Sequence, residues 1–200
     1  MAQNNIENIK AVYQLASASE RVDGFNWYRN ALEIAEDLRD RYDLAGIVQA
    51  VGVIAALSPR NKWSRNVVDA EALINAYKVG GEKQALAVKC CTFGANKAKA
   101  VKILGLSFAS DTEVKATLSG PKLQEFYNCI LALDDVCIDG HAWCIHFGGR
   151  CSLKDVPKIS KKSRKEIKDD YRAAAKDLGI EASALQAITW CTWRRIHGVG

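Results

Sequence analysis

The chain of 200 residues is 48% hydrophobic and 26% charged, which excludes a disordered or fibrous protein and is typical of one globular domain, with or without two lobes. Seven cysteines, an odd number without regular spacing, indicate a reducing compartment rather than a disulfide framework. The first ten residues lack a signal-peptide pattern, and the most apolar run, residues 45–57, is too short to cross a bilayer. We therefore expect a cytoplasmic monomer without a membrane partner. The net charge of +5 favours an anionic partner if the cations cluster.

Ten segments, taken in chain order, show the periodicity of amphipathic or buried helices. They are "NNIENIKAVYQLA", "FNWYRNALEIAEDLRDRY", "DLAGIVQAVGVIAALSP", "WSRNVVDAEALINAY", "ANKAKAVKILG", "DTEVKATLSG", "PKLQEFYNCILAL", "DGHAWCIHFGG", "SKKSRKEIKDDYRAAAKDLG" and "EASALQAITWCTWRRIHG". The third is apolar nearly all round, which predicts a central buried helix stopped by Pro59. The only candidate strand is "ALAVKCCTF". The sequence thus predicts an all-α fold of about ten helices with short connections.

The stretch "VCIDGHAWCIHFGG", residues 136–149, sets an Asp-Gly-His triplet inside an apolar element. A buried carboxylate is costly unless it is paired or capped. Asp139 therefore caps a short helix over residues 139–148, is a functional group, or is both. The helix dipole favours its charged form at that place. His141 follows, and its imidazole either contacts this carboxylate or a ligand, or is an ordinary core or capping histidine.

A helical hairpin is predicted over about residues 112–132, around "LSGPKLQEFYNCI". One helix closes at Gly120 and Pro121 opens the next, with Lys122 in its first turn. Backbone N–H groups at such a turn can bind phosphate, since a helix N-terminus is electropositive. The alternative is an ordinary corner between two helices with a solvated lysine.

A polar loop follows the central helix in "ALSPRNKWSRNV", residues 56–67. Cations interleaved with an aromatic ring suit a protein that holds a phosphate backbone and inserts a side chain at a base step. The alternative is a solvated loop anchored by one aromatic residue. The candidate nucleic-acid-binding residues of this loop are Arg60, Asn61, Lys62, Trp63 and Arg65.

These pieces, in this order, resemble the helix-hairpin-helix DNA glycosylase superfamily, to which endonuclease III belongs. "LSPR" stands where the family has a Leu-Ser-Ala-Gln-type wedge, "LSGPK" where it has its hairpin, and "IDGH" where it has Val-Asp-Thr-His. "GANKAKAVKIL" resembles the helix before the hairpin. The resemblance covers about residues 45–148. A closer likeness, over more of the chain, is to small phage and actinobacterial proteins that carry little functional knowledge.

The resemblance implies a single two-lobed domain, with the second lobe formed by the N-terminal helices and about residues 159–196. It implies that Asp139 stabilises the sugar cation or activates the nucleophile as a base leaves, with His141 and Trp143 beside the base. Lys122 would be the amine of an AP-lyase step. Phosphate contacts would come from the backbone at Gly120 and from cations of the preceding helix and the loop, namely Lys97, Lys99, Lys102 and Arg65.

Two departures from the family pattern bear on these roles. The hairpin has a single glycine followed by proline, and alternative alignments place Lys122 either on the catalytic lysine or two positions before it. The four-cysteine iron–sulfur motif is absent, because only Cys191 lies beyond Cys151. We therefore expect no cofactor. A zinc site is the less favoured interpretation of Cys137, His141, Cys144, His146 and Cys151, since no paired Cys-x-x-Cys occurs.

The function expected from this resemblance is a DNA glycosylase, with or without lyase activity. One alternative is a phage-type enzyme that modifies a thymine-derived base without excision, working in the host cytoplasm. The other is a non-catalytic DNA-binding protein on the same scaffold. The basic run "PKISKKSRKEIK" is either a solvated helix face or a second DNA contact. Trp190 and Trp193 are interpreted as core or interface anchors.

Overall fold

A computed structural model describes residues 5–152 and 154–198, and over these residues the chain is all-helical, which confirms the predicted fold class. The described residues form ten helices and no β-strand. Residues 85–93, the candidate strand, end the fourth helix and continue as a loop. The helices are α1 Asn5–Gln14, α2 Ala18–Arg41, α3 Ile47–Leu57, α4 Trp63–Ala87, α5 Gly94–Leu104, α6 Asp111–Leu118, α7 Pro121–Ile130, α8 Gly140–Phe147, α9 Lys161–Leu178 and α10 Ala182–His197.

The chain divides into two compact units. Unit 1 takes the residues up to Arg29 together with those from Ala132 onward, and it contains α1, α8, α9 and α10. Unit 2 is Asn30–Leu131 and contains α3 to α7. The residues of α2 belong to unit 1 through Arg29 and to unit 2 from Asn30 onward. Asp139 therefore belongs to unit 1, whereas the polar loop and the helical hairpin belong to unit 2.

Unit 2 is built around α3, which is buried from Gln49 to Leu57 and packs against α4, α5, α6 and α7. A Cβ atom on Gly52 would lie 2.6 Å from Val114 of α6, so the missing side chain lets these two helices approach closely. The predicted central buried helix is confirmed. It ends at Leu57, two residues before Pro59.

Unit 1 packs α1, α8, α9 and α10 around one apolar core. The core side chains recur at helical spacing, as Ile9 and Val12 do on α1 and Ile167 and Tyr171 on α9. Burial raises the pKa of the Tyr171 phenol, since the phenolate would have to form away from water. This core fixes the first residues of α8, where the candidate carboxylate lies.

Candidate functional site

Asp139 is the N-cap of α8, as the sequence predicts. Its Oδ1 accepts a hydrogen bond from the backbone N–H of Ala142 at 2.9 Å. The buried residues 136–138 lead into it, and the guanidinium of Arg164 donates to the carbonyl of Ile138 at 2.8 Å. The half-buried carboxylate is thereby held at the start of the helix. Gly148 ends the helix in the left-handed conformation, with φ 67°.

The second oxygen of Asp139 faces a cluster of aromatic side chains in the same unit. The indole N–H of Trp190 donates to Oδ2 at 3.2 Å. Its ring lies 5.3 Å from that of Trp27 and 6.4 Å from that of His141, and the guanidinium of Arg194 lies 4.2 Å above it. The carboxylate is thus oriented from two sides, by a helix N-terminus and by an indole.

The close approach of α2 to α10 explains how Trp27 reaches Trp190. A Cβ on Gly24 would lie 2.5 Å from the Cα of Ile188, so only glycine permits this crossing. One turn further along, the hydroxyl of Tyr28 donates to Oε1 of Gln186 at 2.6 Å. The sequence analysis did not predict that Trp27 lies near Asp139. A glycine inside a long helix, as Gly24 is in α2, nevertheless indicates a close approach of another element.

The two residues predicted to lie beside the base, His141 and Trp143, have different surroundings in the structure. His141 lies beside Trp190 and so belongs to the aromatic cluster. Trp143 instead packs on Phe147 along α8, with ring centroids 4.7 Å apart. Trp190 is half-buried with a polar contact to Asp139, while Trp193 is buried in the core. Trp193 is thus a core residue, as interpreted, and Trp190 has in addition a polar partner that the sequence did not predict.

The residues of the less favoured zinc interpretation make other contacts. His146 is buried and shares a 2.8 Å hydrogen bond with Asp170 through Nε2. The Sγ atoms of Cys144 and Cys151 lie 3.1 Å apart. Over residues 5–152 and 154–198 no group of three or more candidate metal-ligating side chains occurs.

In unit 2, buried Asp69 organises the polar loop that follows α3. Its carboxylate accepts hydrogen bonds from Nε of Arg65 at 2.7 Å, from the amide of Asn61 at 3.1 Å, and from the backbone N–H of Cys91 at 2.7 Å. Thr92 donates from its hydroxyl to the carbonyl of Pro59 at 3.1 Å. The loop is therefore fastened both to α4 and to the segment before α5.

Arg60 occupies the turn of this loop in the left-handed conformation, with φ 57°. Its exposed guanidinium lies 4.9 Å from the ring centroid of Phe93, the residue before α5. Lys62 is exposed beside it, at the N-cap of α4. An arginine in this backbone conformation is uncommon and projects from a fixed turn.

The hairpin is formed by α6 and α7 with two residues between them. The first helix ends at Leu118 rather than at Gly120 as expected, because Ser119 takes the left-handed C-cap position with φ 47°. Gly120 is extended and caps α7, whose first residue is Pro121. Lys122 follows with an exposed side chain.

Contacts from neighbouring elements hold the hairpin in place. The amide of Gln124 donates to the carbonyl of Lys115 at 2.8 Å and joins α7 to α6. The ring of Trp63, at the start of α4, meets Phe126 of α7 edge-on, with centroids 6.4 Å apart. Nζ of Lys99 donates to the carbonyl of Leu118 at 2.8 Å. The polar loop, the start of α5 and the hairpin turn are thus neighbours in unit 2.

Two of the three lysines predicted to bind phosphate have structural bonds within their unit, and the third, Lys102, is exposed. Besides the bond of Lys99 at the hairpin, Nζ of Lys97 donates to the carbonyls of Leu86 at 2.6 Å and Val88 at 3.0 Å. Arg65 is held by Asp69. Sequence reasoning did not foresee these bonds. Their role toward DNA stays a prediction.

Three helices of unit 2 begin near the polar loop and the hairpin turn without a side-chain cap, namely α4, α5 and α7. The N-terminal N–H groups of a helix carry partial positive charge and suit anions. The exposed cations Arg60, Lys62 and Lys122 accompany them. We call the polar loop 58–62, the α5 start at Phe93 and the hairpin turn 119–121 the basic face.

The basic run of α9 is mostly exposed, and two of its lysines pair with carboxylates of the same helix. Lys165 lies 2.6 Å from Asp169, and Lys162 lies 3.9 Å from Glu166, each one helical turn apart. Such exposed pairs contribute little to stability. The helix face therefore combines both signs of charge.

These features define an all-α protein with a carboxylate oriented by a helix N-terminus and an indole. The chain belongs to the Family of unknown function (DUF7178), whose model matches residues 1–197. No curated protein and no solved structure matches the sequence. Within the described residues, none of the helices has the length and apolar character needed to cross a membrane.

Proposed function

We propose that the chain is a DNA glycosylase-like enzyme that cleaves the N-glycosidic bond of a modified or damaged base. The observation that carries the proposal is the carboxylate of Asp139, half-buried and held by one hydrogen bond to each oxygen, from Ala142 and from Trp190. A carboxylate oxygen has two lone-pair sites, so it can accept one hydrogen bond from the protein and one from a ligand. An oriented carboxylate of this kind suits a reaction that develops positive charge.

In the proposed reaction the bond between the sugar C1′ and the base nitrogen breaks, and the electron pair leaves with the base. Positive charge then develops on the sugar ring, and Asp139 stabilises it electrostatically while water adds at C1′. The base must leave the helical stack to be reached. The rings of Trp27, His141 and Trp190 provide the aromatic surroundings of the carboxylate.

The proposed DNA contact is the basic face of unit 2. Its uncapped helix starts and exposed cations suit phosphate oxygens, and the turn at Arg60 presents a guanidinium from a loop fixed by Asp69. The resemblance to the glycosylase superfamily assigns phosphate binding to the hairpin and a wedge to the loop. Arg60 is the candidate for filling the gap that a displaced base leaves.

A second activity, cleavage of the DNA strand by a lyase step, is also proposed and depends on Lys122. Its amine would attack C1′ and form a Schiff base in place of water. The exposed position in the first turn of α7 places this amine at the basic face. Without this role for Lys122, water would be the nucleophile and the reaction would release the base alone.

Base release is the direct test. Oligonucleotide duplexes carrying uracil, oxidised bases or hydroxymethyluracil are incubated with the wild type, Asp139→Asn and the control Asp155→Asn, an exposed aspartate of the same unit. We expect free base with the wild type and the control, and at least about a hundredfold less with Asp139→Asn. Equal release by Asp139→Asn would overturn the role of this carboxylate.

Borohydride trapping on an abasic duplex separates lyase from simple glycosylase activity. We expect a covalent adduct with the wild type and with Lys83→Ala, an exposed control in unit 2, and none with Lys122→Ala. An adduct that survives Lys122→Ala would remove the lyase role from that residue. DNA binding without base release on any duplex would favour the binding protein, and altered base mass without release would favour base modification.

A further inference from the structure

Two thiols meet at the C-terminal end of α8 in unit 1. Cys144 is buried on the helix, and Cys151 is half-buried in the segment that follows it. Their Sγ atoms lie 3.1 Å apart, closer than an ordinary van der Waals contact between sulfurs. None of the five other cysteines of the chain is joined in a disulfide. The sequence shows no spacing that would single out this pair.

The reversal of the chain that joins these thiols is built into the fold. Gly148 has φ 67°, and the N–H of Gly149 donates to the carbonyl of Cys144 at 3.2 Å. A Cβ on Gly148 would lie 2.8 Å from the side-chain amide of Asn8, which itself donates to the carbonyl of His146 at 3.0 Å. Both the conformation and the contact require glycine, so the return of the chain over α8 is specified locally.

We propose that Cys144 and Cys151 form a reversible intramolecular disulfide, making the end of α8 a redox modification site. The co-reactant is a small-molecule disulfide of the glutathione class. No third metal-ligating side chain joins the pair among the described residues, so a disulfide suits it better than a metal ion. The proposal is independent of the function proposed for Asp139.

The exchange proceeds in two steps that balance. The thiolate of Cys151 attacks one sulfur of the small disulfide, whose S–S bond breaks and releases one thiolate. Cys144 then gives up its proton and attacks the sulfur of Cys151, and the second thiol leaves. Two protein thiols are oxidised to one disulfide, and one small disulfide is reduced to two thiols.

The environment of each thiol sets this order. Burial raises the pKa of the Cys144 thiol to about 11, so that it is a poor first nucleophile at neutral pH. Cys151 is the more accessible of the two. Once Cys151 carries the mixed disulfide, the neighbouring position of Cys144 favours the second step over attack by an external thiol.

The test starts from fully reduced full-length protein, freed of reductant without air and equilibrated with graded ratios of oxidised to reduced glutathione. Acid quenching, alkylation and peptide mapping then locate the linkage. We expect a Cys144–Cys151 cross-link, a mass lower by two hydrogens, and reversal by dithiothreitol. Closing this short loop should raise the unfolding temperature by about 5 °C.

The variants separate this pair from the other cysteines. Cys151→Ser alters a half-buried side chain and should abolish the linkage with the fold retained. Cys144→Ala does the same without placing a hydroxyl in the core. The control Cys91→Ser removes an exposed thiol and should leave the linkage unchanged. Three outcomes would each overturn the proposal. Both thiols could be fully alkylated at the most oxidising ratio, or glutathione could stay attached to Cys151. The third such outcome is a disulfide from Cys144 to another cysteine.

Discussion

Trp190 donates its indole N–H to Oδ2 of Asp139 at 3.2 Å, across 51 positions of sequence, and so fixes the oxygen that the helix cap leaves free. If the carboxylate acts in base release, this bond positions it. We expect Trp190→Phe, which keeps an aromatic ring but loses the donor, to lower kcat about tenfold with KM nearly unchanged.

The matched control for this prediction is Trp193→Phe. Trp193 lies on the same helix but is buried in the core. We expect this control to lower the free energy of unfolding by about 1–2 kcal/mol through lost packing, with kcat retained. Steady-state base release and urea unfolding of both variants make the comparison. A parallel loss of stability and kcat in both would assign Trp190 a merely structural role.

Two substitutions of Asp139 distinguish a cap from a functional carboxylate. Asparagine is as good an N-cap as aspartate, so Asp139→Asn should cost at most about 0.5 kcal/mol of stability, whereas Asp139→Ala should cost about 1 kcal/mol. Base release should be lost in both, because neither has a negative charge. Urea unfolding and base release measured together test this. Activity that follows the stability of the two variants would make Asp139 a plain cap.

The parts of the site that the sequence predicted are set by local chemistry. An aspartate followed by glycine before an apolar run is a helix start, and two glycines after it are a stop, so both ends of α8 were predictable. Gly120 and Pro121 marked the hairpin for the same reason. The residue that ends α6 in the left-handed conformation is Ser119. The expectation that a glycine takes this position therefore does not locate the end of α6.

The parts that the sequence did not predict depend on contacts between distant positions. No spacing shows that Trp190 meets Asp139, or that Trp27 reaches Trp190 where Gly24 permits it. In the same way, a lysine donating to a carbonyl looks like any surface lysine in the sequence, as Lys99 does. Side-chain type limits the chemistry of a residue, but its partners are set by tertiary packing.

Arg60 offers a test that separates backbone strain from function. It occupies a left-handed conformation that costs a non-glycine residue about 1 kcal/mol. Arg60→Gly should therefore leave stability unchanged or raise it by up to about 1 kcal/mol, while Arg60→Ala keeps the strain and loses the contact with Phe93. Both should weaken binding to a duplex about equally, measured by fluorescence anisotropy. Unchanged affinity in both variants would exclude Arg60 from the DNA contact.

Asp69 should be far more important for stability than an exposed acid of the same unit. Asp69→Ala leaves the N–H of Cys91 without its acceptor and removes a hydrogen bond from Asn61 and from Arg65, and we expect a loss of about 3 kcal/mol. Glu82→Ala, an exposed control on α4, should change stability by less than about 0.5 kcal/mol. Thermal unfolding measures both. A loss below about 1 kcal/mol for Asp69→Ala would mean that these loops hold their positions by other contacts.

The ion pair between Glu20 and Arg195 gives unit 1 a pH-dependent contribution to stability. Nε and Nη2 of Arg195 donate to the two carboxylate oxygens at 2.7 and 3.1 Å. The hydrogen bond from Arg195 holds the pKa of Glu20 below its ordinary value of 4.5. Because the folded-state pKa is the lower one, the contribution is complete above the unfolded-state pKa and is lost as pH falls through the folded-state pKa.

A double-mutant cycle of Glu20→Gln and Arg195→Met isolates this contribution. Urea unfolding of the four proteins should give a coupling free energy of about 1 kcal/mol near pH ~7. The coupling should decrease as pH falls below about 4.5 and be lost as pH falls through the folded-state pKa, because a protonated Glu20 no longer pairs with the guanidinium. Each single variant serves as the control for the other. A coupling that stayed constant to low pH would show that the two residues interact by packing rather than through the charge of Glu20.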